Sequence, residues 1–237
     1  MNKAQKKVID YYKNPESRLG YTYLTWDTKH FGYYPSKKSN ISEKEAQQLM
    51  TDLLAKRLQL KNGDVVLDAG CGRGTVACYL AQKYKLNITG IDIVGFELKM
   101  AKERAKKLKL KNVNFLLKDY SNTRFPSNYF DKIFTLETLV HSPSLRKTLK
   151  EFYRVLKPGG RLVLFEYSRS SPDEFNKREA KMLQIINDGS SMTSLKTLYH
   201  DAMVRELKKE KYKIISEEDI TSNVLPSMKR LYVYAKL

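Results

Sequence analysis

The 237-residue chain is poor in several things that would each have pointed to a class of protein. It has two cysteines, three histidines and one tryptophan, and no apolar run near the ~20 residues a bilayer crossing demands. Cys71 and Cys78 lie seven apart, which suits neither a disulfide framework nor the paired short spacings of structural zinc. A reduced compartment with no metal is the expectation. The first dozen residues are polar and basic and lack the apolar stretch of a secretory signal, which reads as cytoplasmic. Acid is scarce too: 26 Asp and Glu stand against 44 Lys and Arg, a formal charge of +18. Such a surface draws polyanions, so RNA or a peripheral anionic membrane is a conceivable partner, although lysine-rich usage alone yields the same balance. Hydrophobic residues at 41% exclude a disordered or collagen-like chain and leave a globular one, with nothing to fix its oligomeric state.

What is present is order along the chain. Strand and helix signals alternate between about residues 64 and 168, the pattern of a parallel sheet with helices on both faces. Val65-Val66-Leu67 opens into a glycine-rich turn and a helix over Thr75 to Tyr84; strands follow at Asn87 to Ile93, Val113 to Leu117, Phe130 to Leu136 and Arg161 to Tyr167. Leu98, Ala101, Ala105 and Leu108 share one helical face, and Lys157-Pro158-Gly159-Gly160 stops a helix begun at Leu145. Upstream, Ser42-Glu43-Lys44-Glu45 is a capping box for a helix striped with Ala46, Leu49, Met50, Leu53, Leu54 and Leu58. Before it, residues 11 to 34 hold eight aromatics and His30, too many for an exposed tail, and they are expected to fold over something. After residue 168 come two helical patterns, then alternation at Tyr212 to Ser216 and Leu231 to Ala235 that predicts two more strands. The organisation expected is one domain over 1–237: an aromatic lid at 1–41, a core at 42–168, a helical cap at 169–211 and a terminal hairpin at 212–237.

The strongest chemical signal is Asp68-Ala69-Gly70-Cys71-Gly72-Arg73-Gly74, between a strand and a helix. Glycines there let the backbone turn tightly and approach a ligand, with the free amides of a helix start nearby. The dinucleotide fingerprint wants its third glycine where Thr75 stands, so the spacing is Gly-x-Gly-x-Gly instead. Asp92 closes the second strand, where a carboxylate can accept both hydroxyls of a ribose, and Asp119 closes the third with Tyr120 beside it, placed for an adenine amino group. Acids ending consecutive strands line the carboxyl edge of the sheet, where open α/β sheets bind ligands.

These residues resemble the class I S-adenosylmethionine-dependent methyltransferases over about residues 42 to 168. The match rests on the Asp68 to Gly74 turn, on Gly90-Ile91-Asp92-Ile93, on Lys118-Asp119-Tyr120 and on Leu156-Lys157-Pro158-Gly159-Gly160. The resemblance implies a doubly wound, Rossmann-like seven-stranded sheet ending in a reversed hairpin. It implies S-adenosylmethionine as cofactor and S-adenosylhomocysteine as product. Asp68 and the Gly70, Cys71 and Gly72 backbone would hold the methionyl part, Asp92 and Ile93 the ribose, and Asp119 and Tyr120 the adenine. Within that family the sterol and tocopherol C-methyltransferases are similar in Glu137-Thr138-Leu139-Val140-His141-Ser142-Pro143 and in the aromatic segment Tyr23 to Tyr34, with Trp26-Asp27 where sterol enzymes usually carry Trp-Gly.

Methyl transfer needs a nucleophile aligned behind the methyl carbon in a dry pocket, and orientation supplies much of the barrier reduction. Glu137 and His141, four apart, are the catalytic candidates: Glu137 toward cofactor or acceptor, His141 to accept a proton. Tyr23, Trp26, His30 and Phe31 are the substrate-side candidates, since aromatic faces suit a sulfonium or carbocation. The expected activity is methylation of a small, largely apolar molecule, and the alternative is RNA or another anionic macromolecule. Leu136-Glu137-Thr138-Leu139, in place of an Asn/Asp-Pro-Pro-aromatic run, weighs against methylation of a base nitrogen.

Overall fold

A computed structural model describes residues 3–23, 27–36 and 39–234. Its centre is a five-stranded, wholly parallel sheet of strands Val65–Ala69 (β1), Asn87–Asp92 (β2), Val113–Leu117 (β3), Phe130–Leu136 (β4) and Leu156–Phe165 (β5), in the order β3-β2-β1-β4-β5. The chain winds outward from β1 to β3, then crosses back to lay β4 and β5 on the other side. The switch between β1 and β4 leaves a crevice at the carboxyl ends of the strands.

Alternation along each strand sends neighbouring side chains to opposite faces and builds two cores. On one, Val66, Ile88, Phe115 and Phe134 meet helices Glu43–Leu58 (α3), Thr75–Tyr84 (α4) and Gly95–Lys107 (α5). On the other, Leu67, Ile91 and Ile133 meet Leu145–Val155 (α6), whose Leu149, Phe152 and Val155 are fully buried, together with Leu195 and Leu198. The capping box forms as expected: the Ser42 hydroxyl accepts the Glu45 amide and Glu45 reaches back to the Ser42 amide. Of the expected α3 stripe, Ala46, Met50, Leu54 and Leu58 are buried, Leu53 is half-buried and Leu49 is more than a third exposed, as is Leu108 at the end of α5.

Ahead of the sheet lie Lys3–Lys13 (α1) and Pro15–Tyr23 (α2), and residues 27–34 are irregular. After β5 come Lys177–Gly189 (α7), Ala202–Lys209 (α8) and Thr221–Tyr234 (α9). The terminal hairpin is not formed. Residues 212–220 are irregular and Leu231 closes into α9 instead of a strand, so the described sheet has five strands, not seven. The reason lies earlier in α9. Ser227, 1% exposed, donates to Glu43, accepts the Gly32 amide and so seats that turn against α3, and the Asn223 amide side chain donates to the Tyr34 carbonyl. Once residues 223–227 are held as helix, Leu231 to Tyr234 extend it at one hydrogen bond per residue. Tyr232 and Val233 are left 61% and 57% exposed, so among the described residues the alternation finds no partner strand to reward it.

Candidate active site

The turn after β1 folds as its glycines require. Gly70 sits at φ +89°, and a Cβ there would meet the Thr138 hydroxyl at 2.1 Å, so only glycine fits. Gly70 and Cys71 both donate their amides to the Ile91 carbonyl, tying the turn to β2. Asp92 then organises what lies between: one carboxylate oxygen accepts the Gly72 amide at 2.9 Å and the other the Val94 amide at 2.9 Å. Asp119 accepts the amide and hydroxyl of Ser121 and, at 2.6 Å, the side-chain amide of Gln5 from α1. Tyr120 packs edge-on against Phe152 and donates to the Thr138 carbonyl; burial pushes its phenol well up.

Gly70, Gly72, Asp92, Ile93, Asp119, Tyr120, Glu137 and His141 therefore share one cleft of about 60 Å³ at the carboxyl edge. Asp68, near the carboxyl end of β1, is 4% exposed and lies behind the cleft lining, and its Oδ2 has no hydrogen-bond partner among the described residues. Burial, reinforced by the nearby Asp92 charge, pushes its carboxyl well up. An orphaned carboxyl oxygen beside a glycine cradle fits a ligand with a cationic amino group, and the Asp92 and Asp119 pair fits a ribose and an amino-bearing base. The residues present thus fit S-adenosylmethionine. Cys71 does not line the cleft, and burial pushes its thiol well up.

Glu137, first residue after β4, adopts φ +55°. Its carboxylate accepts the Phe31 amide at 2.8 Å and the Tyr167 hydroxyl at 2.6 Å, yet burial outweighs these bonds and raises its carboxyl to about 7. It also lines a second, larger chamber of about 790 Å³ beside β5, with Phe31, Tyr167, Leu207, Ile214 and Val224 among the walls. Glu137 and Leu136 belong to both spaces. His141 is clamped at both nitrogens. The Ser191 carbonyl, 3.0 Å from Nδ1, can only accept, so Nδ1 carries the proton and Nε2 takes the Tyr12 hydroxyl at 2.9 Å. Burial lowers this imidazole to about 4.

The substrate-side candidates are scattered. Phe31 faces Tyr167 edge-on at 6.1 Å and lines the larger chamber. His30 is buried away from both spaces, its Nδ1 donating to the Phe31 carbonyl, its Nε2 without a partner among the described residues and its ring lowered to about 4 by burial. Tyr23 ends α2, and its side chain lies outside the described residues, as does Trp26 altogether.

Several site residues were not singled out from the sequence. Gln5, Val8 and Tyr12 turn the inner face of α1 into a wall of the cleft. Arg73, 2% exposed, bonds Glu97 at 3.1 Å, the Thr22 hydroxyl at 2.7 Å and the Asp27 carboxylate, while Lys29 pairs with Glu97 at 2.9 Å and lies 4.0 Å over the Tyr12 ring. This ionic cluster fastens the segment before residue 30 to the glycine turn. Glu166, raised by burial to about 8, accepts the Thr138 and Leu139 amides. It and Tyr167 follow β5 directly, as Glu137 follows β4; extending the strand-end rule to β5 would have found them.

Residues 60–221 match a family of methyltransferase domains. Over 97% of its length the chain is 36% identical to a Talaromyces variabilis protein named S-adenosyl-L-methionine-dependent Diels-Alderase iccD, spanning 81% of that protein. It is 34% identical over 67% of its length to methyltransferase GfsG of Streptomyces halstedii and 31% identical over 72% to the sterol 24-C-methyltransferase ERG6 of Saccharomyces cerevisiae, spanning 57% and 44% of those two. In fold it resembles the geranyl diphosphate C-methyltransferase of Streptomyces coelicolor, solved with S-adenosyl-L-homocysteine, at TM-score 0.80 and 17% identity over 98% of this chain and 88% of that one. It also resembles the [4+2]-cyclase SpnF, at TM-score 0.74 and 24% identity over 92% and 80%. The turn, the strand-end acids and these likenesses together make the chain a member of the S-adenosylmethionine-dependent methyltransferase family.

Proposed function

We propose that this protein transfers a methyl group from S-adenosylmethionine to a small, largely apolar molecule held in the chamber beside β5. The observation that carries this is the position of Glu137, whose side chain lies in the wall common to the cofactor cleft and that chamber. When bound, the cofactor supplies an electrophilic methyl on a sulfonium. Asp68 and the Gly70 to Gly72 backbone would hold its amino-acid end, Asp92 with Ile93 its ribose, and Asp119 with Tyr120 its adenine.

Phe31 and Tyr167 would hold the acceptor between aromatic faces and exclude water. Glu137, near neutral in proton affinity, is then the side chain suited to take the proton released by the acceptor. His141, held at about 4 with its lone pair on Tyr12, was expected to accept that proton; we assign it instead to keeping α1 closed. The α1–α2 segment and the helices after β5 serve as lid and cap in this reading.

A second reading has its own support: the relative that matches nearly the whole chain is named a Diels-Alderase. In it the same chamber folds a polyene for ring closure, and the sulfonium stays intact. Incubation with methyl-labelled S-adenosylmethionine and a cell extract separates the possibilities, since ring closure with an intact sulfonium leaves no label transferred. Label in the solvent extract supports the small apolar acceptor; nuclease-sensitive label would move the reaction to RNA and overturn it.

A further inference from the structure

We propose that α7 and the outer face of α1 form a docking surface for an anionic lipid membrane. Helix α7 buries none of its thirteen residues. It touches the body through Leu183, while Met182, Ile185 and Ile186 are 54%, 61% and 52% exposed. Their spacing of three and four places these three on one stripe of the helix. Arg178, four residues before Met182, extends that stripe, with exposed Lys181 along one edge and exposed Glu179 along the other. Asn176 caps the helix with a capping box, so this apolar face is presented on a formed helix.

Helix α1 supplies the charge. Its inner residues Gln5, Val8 and Tyr12 face the cleft, which turns Lys3, Lys6, Lys7 and Lys13 outward, with Asp10 as the one acid in the helix. The chain just beyond α7 touches α1 beside the site: the hydroxyl of Ser191, two residues past the helix, donates to the Lys7 carbonyl while the Ser191 carbonyl holds His141.

An aliphatic stripe with cations at one edge and on the neighbouring α1 is what the boundary between headgroups and acyl chains accepts: the lysine and arginine heads reach phosphate while their stems and the isoleucines enter the apolar layer. The chain's charge of +18 favours an anionic leaflet over a neutral one. RNA would use the cations but gives three aliphatic side chains nothing to pack on, because recognition of its bases runs through aromatic stacking and edge hydrogen bonds. Among the described residues no helix is long and apolar enough to cross a membrane, so the contact is peripheral.

Co-sedimentation of the full chain with vesicles of phosphatidylcholine alone, or mixed with phosphatidylglycerol, tests this. The protein is expected to sediment with the mixed vesicles and to be released by salt. The I185D/I186D variant should remain in the supernatant, and K3Q/K6Q should lose about fivefold in affinity per lysine. Far-UV circular dichroism and melting should be unchanged in both, since all four side chains are exposed. Equal partitioning to neutral and mixed vesicles, or none, would overturn the proposal. So would retention of I185D/I186D at wild-type levels, or an RNA oligonucleotide that strips wild type from vesicles and binds I185D/I186D equally well.

Discussion

Glu137 carries the sharpest conflict between stability and function in this molecule. A carboxyl held near 7 in the folded state but near 4.5 in the unfolded one is protonated in both below about pH 4.5, so there it costs nothing. As pH rises through 4.5 toward 7 the unfolded chain ionises first, and stability on the order of 3 kcal/mol is lost. Glu137→Gln is therefore expected to melt higher than wild type at pH 8 and alike at pH 4, while turnover falls by two orders of magnitude or so, the usual scale for a lost general base. Wild-type turnover should rise with pH through about 7; a flat profile would remove the carboxylate from proton transfer. Asp92 makes a different prediction. Alanine there strands the Gly72 and Val94 amides as well as the ribose, a loss of roughly 3 kcal/mol, so calorimetry should show S-adenosylhomocysteine affinity down ~100-fold.

At the scale of elements, the cleft is about 60 Å³ against the ~300 Å³ at which ligand sites begin, and Gln5, Val8 and Tyr12 of α1 form one of its walls. Cofactor entry must then shift Gln5 and Tyr12, and hydrogen exchange over Lys3–Lys13 should change on addition of S-adenosylhomocysteine; identical exchange with and without it would refute the lid assignment. Here the sequence was a partial guide. The β1 turn, Asp92, Asp119 and the α3 cap were legible because glycines, strand-end acids and Ser-x-x-Glu act locally. Gln5 and Tyr12 were not, since what makes them site residues is contact with Asp119 and His141 more than a hundred positions away. The alternation read from Leu231 onward misled for the same reason in reverse: it is a local signal, and the anchors that make Leu231 to Tyr234 helical, Glu43 and Tyr34, lie far upstream.

For the whole molecule, the arrangement is a cofactor cleft at the switch point between β1 and β4, an apolar chamber along β5, and Glu137 between them. The Arg73–Glu97–Lys29 cluster ties the segment before residue 30 to the glycine turn. The measurement that bears most directly on this account is mass spectrometry of the reaction run with deuterated-methyl S-adenosylmethionine. The account predicts that S-adenosylhomocysteine appears in step with an extractable product bearing the heavy methyl. An acceptor converted to an isomer of unchanged mass, with no S-adenosylhomocysteine formed, would contradict it and make the cofactor a structural part of a cyclase.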